Sequence, residues 1–444
     1  MRTFGGGVDH LSTLPDEVLQ QILSLLPVKE AVQTCVLARS WRDIWKLTRH
    51  LRITASETPA YVEEVRGFVN SLLWARGGAP LDTCEIKFDA FEEDDEPLIH
   101  RWISLVVSCR VQSLLLHIYD IEDEDRAWFE VLDEPLVSSY LTRLVLYGIE
   151  FSQGFGDFSS CPALQDLEAS RCDFAALVEL KSPSLKHLSF YDCTSCPDSR
   201  FRIRVPSLVS LWMDVPSAER TPQLESMLEL VVAYLDIKWC LDKCTCGVGD
   251  RMDFYHVTGA HLSSDSEIYE QGHDEEGFDD DSQVAVKSVL LEGLSEAADL
   301  TLLSDPTMYI FRRDLRWCPT FSKLKTLLIN DYWCEPTDCR PLACILEHSP
   351  VLEKLTILLS GEGPKYKLEM KGGLNGTERP AMISKRLSIV LVKCDVVDET
   401  LNNVLKFLAS LNICKITLTT IFAFYYIYAF HLCMRHSKLT TLIE

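Results

Sequence analysis

Cys240, Cys244 and Cys246, with His256 and His261 behind them, are the residues whose types and spacing come closest to a chemistry. Thiolates and imidazoles are natural zinc ligands. The order C-x3-C-x-C and then H-x4-H fits no standard finger, and nothing in it obliges the two halves to share a strand. Buried or surface thiols explain the cluster better. The pairs Cys193/Cys196 and Cys334/Cys339 are read the same way. The sequence holds no Gly-rich phosphate loop, no G-x-S-x-G elbow and no H-E-x-x-H pair. No catalytic residue, cofactor or metal is therefore expected. The task of the chain must lie in what it holds.

The elements that could hold something begin in LPDEVLQQILSLLPVKEAVQTCVLARSWRDIW, Leu14 to Trp45. Pro15 suits a helix start, where a missing N–H costs nothing. Asp16 and Glu17 follow where the helix dipole favours negative charge. Leu14, Val18, Ile22 and Leu25/Leu26 recur at helical steps, and Pro27 stops the helix. A second short helix is expected through Ala31, Val32 and Cys35. A third would carry Val36, Leu37, Trp41, Ile44 and Trp45. Three short helices bury too little surface to stand alone, so the unit is expected to pack on a neighbour or a partner chain.

This stretch resembles the F-box, in the form found in plants. The matching features are Leu14-Pro15-Asp16-Glu17, Ile22-Leu23, Leu26-Pro27, Ala31-Val32, Val36-Leu37 and Ser40-Trp41-Arg42. The resemblance implies that Leu14, Pro15, Ile22, Leu26, Pro27, Val36, Leu37 and Trp41 take part in docking the Skp-type adaptor of a cullin-based ubiquitin ligase. Some of them would also hold the three helices together. An ordinary helical subdomain is the alternative.

Behind it, TPAYVEEVRGFVNSLLWARGG has the spacing of a helix ended by Gly77-Gly78, and LDTCEIKFDAF alternates as a strand. Then a theme recurs: LTRLVLYGIEF, CPALQDLEASRCDF, SPSLKHLSFYDC and VPSLVSLWMDV. Their first core leucines, Leu141, Leu164, Leu185 and Leu208, are 23, 21 and 23 residues apart. Further copies start around Leu324 and Leu352, and a weaker one lies near Leu114. This period resembles leucine-rich repeats stacked into a solenoid, in which no repeat buries its apolar face alone. The repeats vary in length and lack a consistent Asn position. An ordinary α/β domain with several strands is the alternative.

Acidic segments interrupt the array. FEEDDEP (Phe91–Pro97) and IEDEDR (Ile121–Arg126) read as exposed loops. Residues 263–282 carry nine Asp or Glu and no Lys or Arg, a solvating loop or, failing that, a dock for a basic partner. Lys385–Leu418 reads strand, turn, helix, strand, with Leu401, Val404, Leu405 and Leu408 on one side of the helix. It resembles the FBD region found at the end of plant F-box proteins with leucine-rich repeats. Ile416 to Met434 has no Asp, Glu, Lys or Arg, and its 19 residues approach the length of a membrane span. Threonines, His431 and mid-segment tyrosines argue against one. A buried terminal element or a variant ending is the competing reading.

The expected fold class is α/β. It comprises a three-helix F-box (8–52), a bridging helical segment (53–83) and an irregular leucine-rich-repeat solenoid (84–380). An FBD-like α/β segment (381–420) and an atypical apolar tail (421–444) follow. Hydrophobic residues make up 47% of the 444 and charged ones 25%, enough to fill cores. A net charge of −23 argues against phosphate-backbone binding as the main task, a local basic patch aside. The first ten residues contain no apolar signal region, so the 17 cysteines read as thiols of a cytoplasmic or nuclear protein. The resemblances together imply a non-catalytic substrate receptor. It would bind a Skp-type adaptor, and through it a cullin, at one end. A protein target would dock on the repeats, within residues 110–360. The alternative is a scaffold that sequesters the adaptor without a cullin, with the apolar run as a membrane tether for such a scaffold.

Overall fold

The computed structural model describes residues 14–420 apart from 38, 56–58, 89–95, 119–128, 131–133, 196–200, 219–220, 241–288, 306–310, 312–313, 335–338, 360–383 and 412–415. The architecture is mixed α/β around one parallel sheet of 14 strands. The strands follow one another in chain order. They are His50–Ala55, Thr83–Phe88, Ser113–Ile118, Arg143–Tyr147, Asp166–Ser170, His187–Tyr191, Ser210–Ala218, Val232–Cys240, Asp299–Ser304, Thr326–Asn330, Lys354–Leu359, Ile389–Cys394 and Ile416–Thr420. A short strand, Thr194–Ser195, pairs beside Ser210–Ala218.

One register runs through the sheet. Leu114, Leu144, Leu167, Leu188 and Leu211 lie side by side and are buried. Two residues on, Leu116, Leu146, Ala169, Phe190 and Met213 form a second buried row. Strand side chains alternate between faces, so a slip of one residue would turn both rows outward. The repeat leucines Leu141, Leu164, Leu185 and Leu208 are buried in the turns that enter these strands. After three successive strands, Gly148, Arg171 and Asp192 take φ of 73°, 48° and 52°. The N–H of each donates to the neighbouring repeat, at Ser170, Tyr191 and Asp214. This left-handed turn swings the chain off the strand, and only Gly148 adopts it without a side-chain penalty.

The residue after that turn explains two cysteines. Cys172 and Cys193 are buried, and their thiols donate to carbonyls of the preceding repeat, at Leu146 and Ala169. Cys193 is thus a stacking residue, and Cys196 lies outside the described residues. Cys334 and Cys339 are likewise buried, with the Cys339 thiol donating to the Cys334 carbonyl. Cys240 ends its strand, whereas Cys244, Cys246, His256 and His261 fall outside the described residues.

Parallel neighbours require crossovers. At the two ends of the sheet these contain helices: α3 (Pro59–Ala75), α4 (Glu96–Ser108), α5 (Arg340–Glu347) and α6 (Glu399–Ser410). In the middle they contain a second small parallel sheet, Glu179–Lys181, Arg202–Arg204 and Gln223–Leu224. A spine of buried rings fills this part of the core. The Phe174 ring lies 4.9 Å from Phe151, 4.8 Å from Phe190 and 5.6 Å from Phe201.

Several expectations change. Glu96 and Pro97, read as the end of an exposed loop, open α4 instead, with proline near the helix start where its missing N–H costs nothing. Residues 121–126 and 263–282 lie outside the described residues. The C-terminal reading of strand, helix and strand matches the structure: α6 buries Leu401, Val404 and Leu408, and the Asp398 carboxylate caps it by accepting from the Leu401 N–H at 2.9 Å. The apolar run starts as the last strand, Ile416–Thr420, paired with Ile389–Cys394. Residues 421–434 lie outside the described ones, among which no helix is long and apolar enough to cross a membrane. The parallel sheet pairs His50–Ala55 with Thr83–Phe88 and Lys354–Leu359 with Ile389–Cys394.

Candidate functional site

Two α-helices open the chain, α1 (Asp16–Ser24) and α2 (Val28–Gln33). The expected third helix is a series of 3-10 turns, Thr34–Val36, Arg39–Trp41 and Ile44–Leu47. Local side chains take the bonds a longer helix would use. Trp45 Nε1 donates to the Arg42 carbonyl at 2.9 Å, and Thr48 Oγ1 donates to the Trp45 carbonyl at 2.8 Å. Residues that bond to nearby backbone in this way compete with helix formation.

The structure divides the apolar residues of this unit into two sets. Leu19, Leu23, Val28, Ala31, Trp41, Ile44 and Trp45 are buried and form its core. Val36 is 82% exposed and Leu37 66%. Val18, Leu25 and Leu47 are exposed as well. Of the eight expected docking residues, Val36 and Leu37 therefore offer open apolar surface, and Pro15 is exposed. Leu14, Ile22, Leu26 and Pro27 are half-buried, with Leu14 and Leu26 packed against the core. Trp41 is 4% exposed, so any part it plays in docking is through the shape of the unit. Leu25 and Leu47 are not among the expected docking residues. Leu25 shares the helical period with Leu26, and only three-dimensional placement shows which of the two turns outward.

The unit joins the sheet without a linker. Pro27 and Val28 share a crevice with Arg52, Ile53 and Thr54 of the first strand and with Phe68 and Val69 of α3. Just past α3, Arg76 is buried and bolts the unit down. Its guanidinium donates to the Trp45 carbonyl at 3.2 Å, to Thr48 Oγ1 at 3.1 Å and to the Thr48 carbonyl at 2.7 Å. Burial pushes the Arg76 pKa down, with Cys109 and Cys84 opposing. On the outward edge, Arg49 pairs with Asp82 at 2.7 Å and Arg52 with Glu85 at 2.9 Å, tying the first strand to the second. The arrangement places the exposed Val36 and Leu37 on a unit packed against the first strand and α3.

The F-box domain family model matches residues 11–52, which end inside the first strand. An F-box/LRR-repeat protein of Arabidopsis thaliana is 29% identical over 263 residues, covering 52% of this chain and 83% of the relative. A second one is 30% identical over 304 residues, covering 58% of this chain and 67% of the relative. An F-box/FBD/LRR-repeat protein of the same plant is 27% identical over 403 residues, covering 83% of this chain and 80% of the relative.

Proposed function

Because this chain belongs to the plant F-box proteins with leucine-rich repeats, we infer that it is the substrate-recognition subunit of a Skp-cullin-F-box ubiquitin ligase. The observation that carries this is the exposed pair Val36 and Leu37 on a unit whose own core is already filled. Apolar surface of that kind waits for a partner. Here the partner is a Skp-type adaptor, which brings a cullin. Leu14, Pro15, Ile22, Leu26 and Pro27 border the contact, and Trp41 supports it from inside.

The parallel sheet is the inner face of a leucine-rich-repeat solenoid, closed at its end by an FBD-like strand, helix and strand. A protein target docks on it within residues 110–360. The chain does no bond chemistry of its own. It converts a chance encounter between target and ubiquitin donor into an effectively intramolecular one, where effective molarities are high. The junction at Arg76 supports this mechanism, because a target held on the sheet keeps a fixed offset from the adaptor. The setting is cytoplasmic or nuclear.

The test is affinity capture from plant cells with the proteasome blocked, comparing wild type with a Leu37→Asp variant of the full chain. The adaptor and cullin should be recovered with wild type only, and the target with both. Recovery of adaptor without cullin would replace this reading with an adaptor-sequestering scaffold. Recovery of no adaptor would remove both.

A further inference from the structure

The structure brings together Cys318, Cys344 and His348, which no motif in the sequence links. The ligand atoms of these three side chains all lie within 4.8 Å of one another, and each residue is half-buried. We propose that they form a zinc site which clamps the segment after the Asp314–Trp317 turn onto helix α5.

The donor set and its spacing fit the metal. Zinc takes thiolate sulfur at about 2.3 Å and imidazole nitrogen at about 2.0 Å. A tetrahedral site therefore puts its donors about 3.5–3.8 Å apart, a small contraction from the present arrangement. Cys344 and His348 are four residues apart, at the C-terminal end of α5, so one helical turn presents both on the same side. The third donor, Cys318, is held against them by two hydrogen bonds on either side of it. The Phe321 N–H donates to the His348 carbonyl at 2.8 Å, and the Cys344 thiol reaches the Leu315 carbonyl at 3.6 Å. His348 Nδ1 lies 2.8 Å from the Cys344 carbonyl oxygen. With the proton on Nδ1, this contact orients the ring and leaves the lone pair on Nε2 to face a metal, as a hydrogen bond to the other ring nitrogen does for ligating histidines generally.

Asp314, at the start of the turn before Cys318, is engaged elsewhere. It is fully buried and accepts from the backbone N–H groups of Val289, Leu290 and Leu291. Among the described residues three donors meet here, and solvent supplies the fourth, which the half-buried setting admits.

Cobalt(II) chloride added to the metal-free full chain under reducing conditions tests this directly. Wild type should develop the thiolate-to-cobalt charge-transfer absorption and the strong visible bands of a tetrahedral site. Zinc(II) chloride should bleach them. Cys344→Ser and His348→Gln should each lose one equivalent of bound zinc relative to wild type, while Cys244→Ser leaves that equivalent in place. Since a serine at 344 could disturb folding, the chelator-induced fall in wild-type melting temperature is read alongside it and should vanish in His348→Gln. Zinc content unaffected by both substitutions would overturn the site, as would a wild-type chain with no charge-transfer band. A Cys318–Cys344 disulfide found by peptide mapping of protein kept in reductant would overturn it too.

Discussion

Replacing Leu37 with Asp separates docking from folding. Leu37 is 66% exposed, so most of its side chain is still in contact with water. Full burial of a leucine is worth about 1.5–3 kcal/mol, which leaves roughly 1–2 kcal/mol to be gained when the adaptor closes over it. Aspartate forfeits that gain and carries a carboxylate into an apolar contact, at a further cost of about 2 kcal/mol or more. The total is at least about 3 kcal/mol, or more than about 100-fold in Kd. In the free chain the same change sits on the surface and should move stability by no more than about 0.5 kcal/mol. Trp41→Ala is the counterpart. Its site is 4% exposed, and emptying it should cost about 3–5 kcal/mol of folding stability. Calorimetric titration of a Skp-type adaptor into each variant, with melting curves on the same samples, reads both quantities. A Leu37→Asp chain that binds within about threefold of wild type would refute the docking assignment. One that melts as early as Trp41→Ala would refute the division between core and surface.

Three further outcomes follow from individual side chains. Asp314→Asn removes a carboxylate oxygen from the Val289–Leu291 amides, and at about 1–3 kcal/mol for each bond weakened or orphaned it should destabilise that turn by about 3–5 kcal/mol. Hydrogen exchange at Leu290 and Leu291 should quicken more than about 100-fold, and unchanged protection would contradict the anchoring role. Burial, opposed by Lys238 and aided by Asp214, lifts Asp236 from 3.8 to about 6. The folded chain then holds this proton more tightly than the unfolded one, so the cost of ionising it is absent below about pH 4, grows between about pH 4 and 6, and levels off above that. Asp236→Asn should therefore melt above wild type at neutral pH, by up to about 3 kcal/mol in stability, with the gap closing near pH 4; an equal gap at both pH values would contradict the shift. Thr48→Val takes an acceptor from Arg76 and a donor from the Trp45 carbonyl, for about 2–4 kcal/mol. Denaturant titration matching wild type would show that this junction is held by other contacts.

The repeating part of the fold was legible because its signal is local. A leucine every 21–23 residues and alternation within each strand are enough to fix the register between Leu144 and Leu211. The strands Val232–Cys240 and Asp299–Ser304 were not legible, although they pair residue for residue. The acidic stretch between them hides the period, and Ala233 stands where a leucine was sought. The helix α4 was masked by a neighbouring run of acidic residues. At the docking site, helical periodicity picked out the apolar residues but assigned them no direction, since Leu19 and Val36 look alike in a sequence and differ only after packing. The Cys318, Cys344 and His348 cluster was hidden for another reason. Only Cys344 and His348 share an element, and the third member arrives through a turn that spacing alone does not foretell.

The strand that begins at His50 has a consequence for how such a receptor would act. It belongs at once to the F-box match and to the sheet, and Arg76 fastens its approach from the other side. No hinge intervenes between the two among the described residues. The sheet then advances one strand at a time, at about 4.8 Å per step, so from His50 to the last strand it runs roughly 60 Å along its path. On the proposed reading, the strand at which a target docks sets its distance from the adaptor. A target seated near Tyr147 lies three steps along that path from the first strand, and one seated near Lys354 lies ten. Place along the sheet, rather than affinity alone, would then decide which of a target's lysines come within reach of the ubiquitin donor.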